Sequence, residues 1–324
     1  MLRRNLWKVI AAGAASVLSL GVVHAQSFPS KPIKLVVAFA PGGATDALAR
    51  TIAQQLGTLT GATVVVENKP GASGAIAMEL VAKAPADGYT LLWGSDSVVV
   101  QPLLRKNFPV DPMRDLTPLA RLGIAPMVVS VNQKVPAKDL KELVALAKSR
   151  PGGLKYGSGG SGSSQHLTGE EFKNRAGIDL IHVPYKGTGP AITDALGGHI
   201  DVVFTGVGEV APHAAAGNMR PLGIMSEARV SALPNVPTFI ESGYPGFIGG
   251  SWMGVLGPAN LPKDVATWLS DKIVAAAQSD EFRQKATGFG MSGALLKGPE
   301  TATFMRALSD RSRETIEKNG ITAD

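Results

Sequence analysis

A glycine-rich segment, GSGGSG at residues 157–162, fits the G-x-G-x-x-G pattern between a predicted strand and a predicted helix. In a dinucleotide site such a loop holds the pyrophosphate, and an acidic residue at the end of the second strand binds the ribose. Here that strand ends in VPYK at residues 183–186, and the nearby acid, Asp179, lies at its start. The missing acid argues against a dinucleotide site, and we expect no cofactor.

Histidine and serine side chains are the other candidates for catalysis. The histidines after residue 25 are His166, His182, His199 and His213, which are dispersed along the chain. The sequence contains no G-x-S-x-G nucleophile elbow and no H-E-x-x-H or H-x-x-E-H metal motif. His166 differs from the others because it borders the glycine-serine loop, so a secreted hydrolase or isomerase that uses His166 and loop serines remains an alternative. We expect no metal site.

Loops that end strands and begin helices are better candidates for a binding site. They are rich in small and hydroxyl residues and lie at residues 40–45, 94–97, 158–164 and 205–206. A helix start offers unpaired N–H groups and the positive end of the helix dipole. Small residues let an anion approach that backbone closely. A carboxylate could therefore be held there by N–H and hydroxyl donors, without a catalytic group.

The elements that must position these loops alternate regularly. Apolar runs at 34–39, 64–66 and 89–93 predict strands, and the segments 45–56 and 75–84 predict helices between them. This order indicates a parallel, doubly wound sheet. The same order recurs later in the chain, with strands at 154–156, 180–185 and 201–204 and helices at 166–175, 191–196 and 210–216.

Two extended apolar segments, 119–131 and 252–257, lie where one repeat gives way to the other. We interpret them as two chain crossings near residues 125 and 250. Domain 1 is then discontinuous, 26–124 and 250–324, and domain 2 is 125–249. Helices near 264–277 and 300–318 would complete domain 1. Two crossings make a hinge, and the cleft between the domains is the natural ligand site.

The first 25 residues have the features of a secretory signal peptide. A basic start precedes an apolar run at 9–23, shorter than the roughly 20 residues a membrane-spanning helix needs. Val23-His24-Ala25 predicts cleavage before Gln26. Of the formal charge of +6, Arg3, Arg4 and Lys8 supply three. The remaining basic residues are scattered, so we expect no nucleic-acid partner. Without cysteine, the fold must depend on its hydrophobic core.

In combination, several motifs in this sequence resemble one known family, the periplasmic substrate-binding proteins of tripartite tricarboxylate transporters, also called Bug-type receptors. The similarity covers essentially the whole chain. The matching segments are FAPGGATD at 39–46, ENKPGASG at 67–74, AKAPADGYTL at 82–91, YGSGGSGSSQHL at 156–167, VPYKG at 183–187, LPNVPT at 233–238 and SW at 251–252.

The resemblance implies a type II periplasmic binding protein, a Venus flytrap of two doubly wound α/β domains joined by two crossings. It implies no enzymatic activity and a loop after the first strand of each domain, 40–45 and 158–163, that holds the ligand's carboxylates. Amino-acid-binding members often carry an acid where this chain has Thr205 and Gly206, so a di- or tricarboxylate or an aromatic acid is favoured. The candidate ligand-binding residues are Phe39, Ala40, Gly42, Gly43, Ala44, Thr45, Asp46, Ser95, Asp96, Ser158, Gly160, Gly162, Ser163, His166, Tyr185, Thr205 and Gly206.

We therefore expect a monomeric periplasmic receptor that captures a small carboxylate and delivers it to the membrane subunits of a tripartite tricarboxylate-type transporter. A receptor that reports its ligand to a signalling system is the alternative, because both roles need the same hinge. The identity of the acid is not encoded in loops that use backbone donors.

Overall fold

The computed structural model describes residues 28–322 except 40, 43, 72–73, 151 and 186. The predicted signal peptide, its cleavage site, and the candidate residues Ala40 and Gly43 lie outside the described residues. Residues Lys31–Asp324 form one compact unit.

Strands and helices alternate along this unit, and the predicted strands and helices occur in the predicted order, with further elements between them. The strands are β1 (Ile33–Val37), β2 (Val64–Asn68), β3 (Thr90–Gly94), β4 (Leu116–Asn132), β5 (Leu154–Ser158), β6 (Leu180–Pro184), β7 (Val202–Gly206), β8 (Met219–Ile224), β9 (Gly250–Pro258) and β10 (Leu296–Lys297). The helices are α1 (Ala44–Thr60), α2 (Ala75–Ala82), α3 (Asp96–Leu104), α4 (Pro112–Asp115), α5 (Leu140–Ser149), α6 (Ser164–Ala176), α7 (Thr188–Gly197), α8 (Val207–Ala215), α9 (Lys263–Ala277), α10 (Asp280–Gly288) and α11 (Gly298–Asn319).

The first part of the sheet is built around β1, which lies between β2 and β3 and runs parallel to both. Next to β3 comes β9, which is antiparallel, and then the first part of β4, antiparallel to β9. The short strand β10 pairs with β4 at Ala120 and Arg121. The carboxyl ends of β1 and β3 therefore point toward the same edge, where their loops can form a site.

The second part repeats this plan around β5, which lies between β6 and β7 and runs parallel to both. The latter part of β4 pairs antiparallel with β7 and with β8. β4 therefore changes its partners between Pro126, which pairs with β9, and Met127, which pairs with β7.

The sequence predicted parallel sheets, and the three winding strands of each part are parallel. Each part has one further strand beside its three parallel strands, β9 next to β3 in the first part and β4 next to β7 in the second. Both are strands in which the chain crosses between the two parts, and both run antiparallel to their parallel-sheet neighbours. The division into domains at residues 125 and 250 stays a prediction, although β4 changes partners beside residue 125 and β9 begins at Gly250.

Each part packs its own hydrophobic core. In the second part, the Phe172 ring meets the Phe239 ring edge to face, with centroids 5.3 Å apart, and Phe204 and Phe247 complete the cluster. In the first part, Trp252 of β9 is fully buried and packs edge to face against Phe304 of α11. The C-terminal helix α11 thereby covers the first part, as the apolar face of residues 300–318 predicts.

Glycine permits the close contact between the two crossing strands. Gly254 of β9 lies beside β4, and a Cβ there would overlap the carbonyl oxygen of Ala120. Overpacking of a dense interior costs roughly 1–3 kcal/mol. We therefore expect Gly254→Ala to lower the free energy of unfolding by roughly that amount in urea titrations followed by circular dichroism.

Gly189→Ala is the matched control for this substitution. Gly189 lies in α7, and a Cβ there would meet no atom within 4 Å. Alanine is the better helix former by up to about 1 kcal/mol, so Gly189→Ala should leave stability equal or slightly higher. Equal stabilities of the two variants would contradict the close approach of β4 and β9.

Candidate ligand-binding site

A cavity of about 520 Å³ lies between the loops that follow β1, β3 and β5. Its volume is within the roughly 300–1,000 Å³ typical of small-molecule sites. Both parts of the sheet contribute walls, since β5 belongs to the second part. Its lining includes Phe39, Thr45, Ser95, Asp96, Ser97, Gln101, Gly162, Ser163, Ser164, Gln165 and Ser251.

The loop after β1 is held in place by Asp46. The buried Asp46 carboxylate accepts hydrogen bonds from the Gly42 N–H at 3.0 Å, Arg50 Nε at 2.9 Å and Asn68 Nδ2 at 2.8 Å. Asn68 also donates to the Phe39 carbonyl. Mainly because of the Arg50 hydrogen bond, the pKa of Asp46 falls to about 2. Asp46 is therefore a positioning residue that does not line the cavity.

The cavity side of this loop carries Phe39 and Thr45. Phe39 is 40% exposed, an unusual state for a large apolar side chain next to a buried strand. Helix α1 begins at Ala44, so its first turn borders the cavity beside Thr45. An aromatic ring and a helix start suit a ligand with an apolar part and an anionic end.

The loop after β3 brings a second helix start to the cavity. Ser95 precedes α3, but its side chain makes no capping hydrogen bond, because its hydroxyl pairs with the Ser97 hydroxyl at 3.0 Å. Ser97 and Gln101 are four residues apart on α3, which places them on one face of the helix. Both side chains line the cavity.

Asp96 is the acidic residue in the described lining of this cavity. Burial raises its pKa to about 7, while Ser251, the Trp252 N–H and the charge of Arg311 oppose that rise. Asp96 Oδ2 has no hydrogen-bond partner among the described residues. Near neutral pH a fraction of Asp96 is thus uncharged, and a neutral carboxyl group can donate a hydrogen bond to an anionic ligand.

The loop after β5 is supported from behind by two histidines. Ser163 caps α6 by accepting a hydrogen bond from the His166 N–H at 3.2 Å. His166 Nδ1 accepts from the Gly162 N–H at 3.0 Å, and its ring stacks on His182 at 3.7 Å. His182 Nε2 is hydrogen-bonded to Ser158 Oγ at 2.6 Å. His166 and Ser158 therefore stabilise the loop, and Gly162 and Ser163 lie in the cavity wall.

The Ser158–His182 hydrogen bond resembles the pairing of a nucleophile with a base. Ser158, however, is fully buried, so a substrate in the cavity cannot reach its hydroxyl. His166 engages Ser163 through its main-chain N–H, which leaves the ring turned to Gly162 and His182. This geometry does not favour the hydrolase alternative.

Five other candidate residues do not line this cavity, and Gly42 is one of them. Gly160 donates its N–H to Ser158 Oγ within the loop. The Tyr185 hydroxyl donates to Asp194 at 2.6 Å. Thr205 is fully buried, and Gly206 donates its N–H to the Glu209 carboxylate at 2.9 Å.

The sequence interpretation missed Glu209, which lies three residues after the position where an acid was sought. Besides binding Gly206, its carboxylate accepts a hydrogen bond from the Thr188 hydroxyl at the start of α7. Glu209 thereby links the starts of α7 and α8.

The other missed residues are Ser97, Gln101, Ser164, Gln165 and Ser251. A signal for some of them was present, because Ser97 ends the 94–97 loop and Ser251 begins the SW motif. They offer hydroxyl and amide groups, and the described lining contains no lysine or arginine. A ligand anion would thus be held by dipoles and hydrogen bonds.

Two absences apply to the described part of the chain. Its helices are each too short or too polar to cross a membrane. Its His, Asp and Glu side chains form no group of three or more that could hold a metal ion.

The most informative comparisons are with proteins similar over nearly their full length. The chain is 33% identical over 321 residues to Protein BugT of Bordetella pertussis, covering 98% of each chain. A solved Rhodopseudomonas palustris protein with adipate is 32% identical, with a TM-score of 0.77, over 91% of this chain and 99% of that one. MatC from the same species, with bound malate, is 28% identical, with a TM-score of 0.71, over 89% of this chain and 100% of that one.

These similarities confirm the predicted fold class, a type II periplasmic binding protein of the Venus flytrap kind. The model of the family described as tripartite tricarboxylate transporter family receptor matches residues 48–321. The chain therefore belongs to the tripartite tricarboxylate transporter receptor family.

Proposed function

We propose that the protein captures a small carboxylate, either a di- or tricarboxylate or an aromatic acid, in the 520 Å³ cavity. It then delivers this ligand to the membrane subunits of a tripartite tricarboxylate-type transporter, acting as a monomer and without chemical change to the ligand. The observation that carries the proposal is the meeting of three strand-end loops, from both parts of the sheet, around one polar cavity.

The starts of α1, α3 and α6 supply the main attraction for an anion. Each helix contributes a positive dipole end worth roughly 0.3–1 kcal/mol for an adjacent negative charge. Hydroxyl groups of Thr45, Ser97 and Ser163 line the same cavity. The relatives solved with adipate and with malate support a dicarboxylate, because both ligands carry two carboxylates.

Closure around the ligand would occur at the two crossings. β4 and β9 connect the proposed domains, 26–124 with 250–324 and 125–249, and they pair side by side. Rotation about this pair would bring the loop at 158–163 toward the loops after β1 and β3. A ligand that contacts both sides would stabilise the closed form by its differential affinity for that form.

The role of Ser163 can be tested with a matched pair of capping serines. Ser163→Ala should weaken binding of adipate or malate about tenfold, since a hydrogen bond to a charged group contributes roughly 1.5–3 kcal/mol. Ser279 caps α10 in the same way, by accepting from the Phe282 N–H, and does not line the cavity. Ser279→Ala should therefore lose comparable stability, roughly 0.5–2 kcal/mol, and keep its affinity.

Isothermal titration calorimetry measures the affinities, and thermal unfolding compares the stabilities. If the parent bound none of a panel of di-, tri- and aromatic carboxylates, the proposed ligand class would be wrong. If Ser163→Ala and Ser279→Ala had equal affinities, Ser163 would have no part in binding.

Asp96 predicts how binding depends on pH. Because its pKa is about 7, the carboxyl group becomes charged as pH rises from 6 to about 8 and repels an anionic ligand, even with Arg311 nearby. Carboxylate affinity should therefore fall across this interval, and the fall should be much smaller in Asp96→Asn. Asp46 does not interfere, because its pKa is about 2.

The same variant has a stability consequence of defined sign. The pKa of Asp96 is higher in the folded protein than in the unfolded chain, where it is roughly 3.9. The free energy of unfolding is therefore highest below that unfolded pKa and decreases as pH rises toward 7. Asp96→Asn should lose less stability than the parent between pH 4 and 7. Parallel pH profiles of the two proteins would refute a buried, mostly neutral Asp96.

The proposed location is the periplasm, after removal of residues 1–25. Export of the full chain and intact-mass analysis of the periplasmic product should give a chain that begins at Gln26, either as glutamine or as its cyclised pyroglutamate form. A product that begins at Met1 would contradict the assignment of a signal peptide, and Ala25→Asp, which removes the small residue at the cleavage position, should leave the precursor uncleaved.

A further inference from the structure

A second cavity, of about 380 Å³, lies beside the crossing strand β4. Its walls come from β4, from the segment that follows β8 and from α11. Asp96 borders both this cavity and the first one. The described lining of the second cavity differs in kind, because it contains arginines as well as several large apolar side chains. The residues that carry the argument are Arg121, Ile124, Met225, Phe304, Leu308 and Arg311.

Arg121 is buried, with 9% of its surface exposed, and its Nε has no hydrogen-bond partner among the described residues. Its guanidinium group lies over the Phe304 ring at 4.5 Å, and Nη2 donates to the Ala294 carbonyl at 3.1 Å. These contacts fix the plane of the guanidinium group, but neither of them pairs its positive charge with an anion. A buried cation with an unpaired donor is costly unless a partner completes it.

The charges around Arg121 limit what that partner can be. Arg311 lines the same cavity and donates to the Ile248 carbonyl at the long distance of 3.4 Å. Arg229 is already paired with Glu241 at 3.0 Å. The Glu227 carboxylate, which also lines the cavity, attracts the Arg121 guanidinium group. Two acidic residues, Asp96 and Glu227, line the same cavity as the two available arginines. They limit the negative charge that the cavity can accept, which suits a ligand with a single carboxylate.

A further part of the wall is apolar. Ile124, Phe304 and Leu308 present a surface on which a ring or a short alkyl chain can lie. The volume falls in the range of small-molecule sites. An inorganic anion would satisfy Arg121 but leave this wall without contacts.

We propose that this second cavity binds a small monocarboxylate with an apolar body, its carboxylate at Arg121 and its body against Phe304 and Leu308. This site is separate from the cavity of the proposed function and uses guanidinium groups where the first uses helix starts and hydroxyls. A guanidinium group matches the planar carboxylate with two parallel N–H donors.

The probe is 4-bromobenzoate, whose bromine can be located by anomalous diffraction. In crystals soaked with it, we expect bromine beside Phe304 and Leu308. In solution, calorimetry should give binding of 4-bromobenzoate that weakens at least tenfold in Arg121→Met, which keeps the apolar stem, and in Arg311→Gln. Arg306→Gln is the control, because Arg306 is an exposed residue of the same helix and does not line the cavity. The neutral analogue 4-bromobenzyl alcohol should bind at least tenfold more weakly than the acid.

The proposal is overturned if bromine is found only in the first cavity or nowhere, or if Arg121→Met binds 4-bromobenzoate as tightly as the parent. If Arg121→Met does not fold, as circular dichroism would show, Arg311→Gln decides, and unchanged affinity in that variant overturns the proposal. Adipate and malate titrations of Arg121→Met report on the first cavity separately, because Arg121 does not line that cavity. Loss of 4-bromobenzoate binding with intact dicarboxylate binding supports two sites.

Discussion

The antiparallel pairing of β4 with β9 is the contact on which the rest of the molecule depends. β4 is 17 residues long and exchanges one set of partners for another along its length. Its neighbour β9 approaches so closely that glycine is required at residue 254. Because both crossings lie in this one pair, the two parts of the sheet are attached along a common line. The loops after β1, β3 and β5 can then meet around one cavity.

Two similar loops at this cavity are held by different chemistry. The loop after β1 is tied down by the carboxylate of Asp46, which collects hydrogen bonds from backbone, arginine and amide groups. The loop after β5 is tied down by stacked imidazoles, with His166 accepting from the loop backbone and His182 bonded to Ser158. In both cases the groups with strong hydrogen-bonding capacity, the Asp46 carboxylate and the two imidazoles, support the loop from the side away from the cavity. Smaller hydroxyls are left to line the cavity wall, where a ligand can reach them.

Much of the fold follows from local sequence features. Short apolar runs followed by glycine-containing turns predicted β1, β3, β5 and β7, because a strand buried on both faces must be apolar and must end in a turn. β8 was missed because Pro221 interrupts it. The strand tolerates this proline at an edge, where it pairs with β4 through an irregular register. Helix α5 was also missed, although Asp139 caps it by accepting from the Glu142 N–H, the kind of signal that predicts a helix start.

The site could be predicted only in outline. Strand-end loops indicated where it lies, since ligands of open α/β sheets bind at the carboxyl ends of strands. Which side chains face the cavity depends on how the helices are rotated, and this rotation is set by tertiary packing. Gln101 and Gln165 therefore cannot be predicted from the sequence alone, and Thr205, which the sequence predicts to contact the ligand, is fully buried. His166 was selected for its position beside the loop, and the structure gives it a supporting role.

The described wall of the first cavity carries no lysine or arginine, and this bears on how fast a ligand is captured in solutions of different ionic strength. Fixed charges attract ions over a Debye length, about 10 Å at 0.1 M salt, and lose that reach as ionic strength rises. Helix starts, hydroxyls and amides act mainly within contact distance, so dissolved ions have little to screen there. Such a site would collect an acid at nearly the same rate in dilute and in salty surroundings. For a receptor that binds an acid as proposed, the lack of lysine and arginine in the described wall would make capture tolerant of changes in ionic strength.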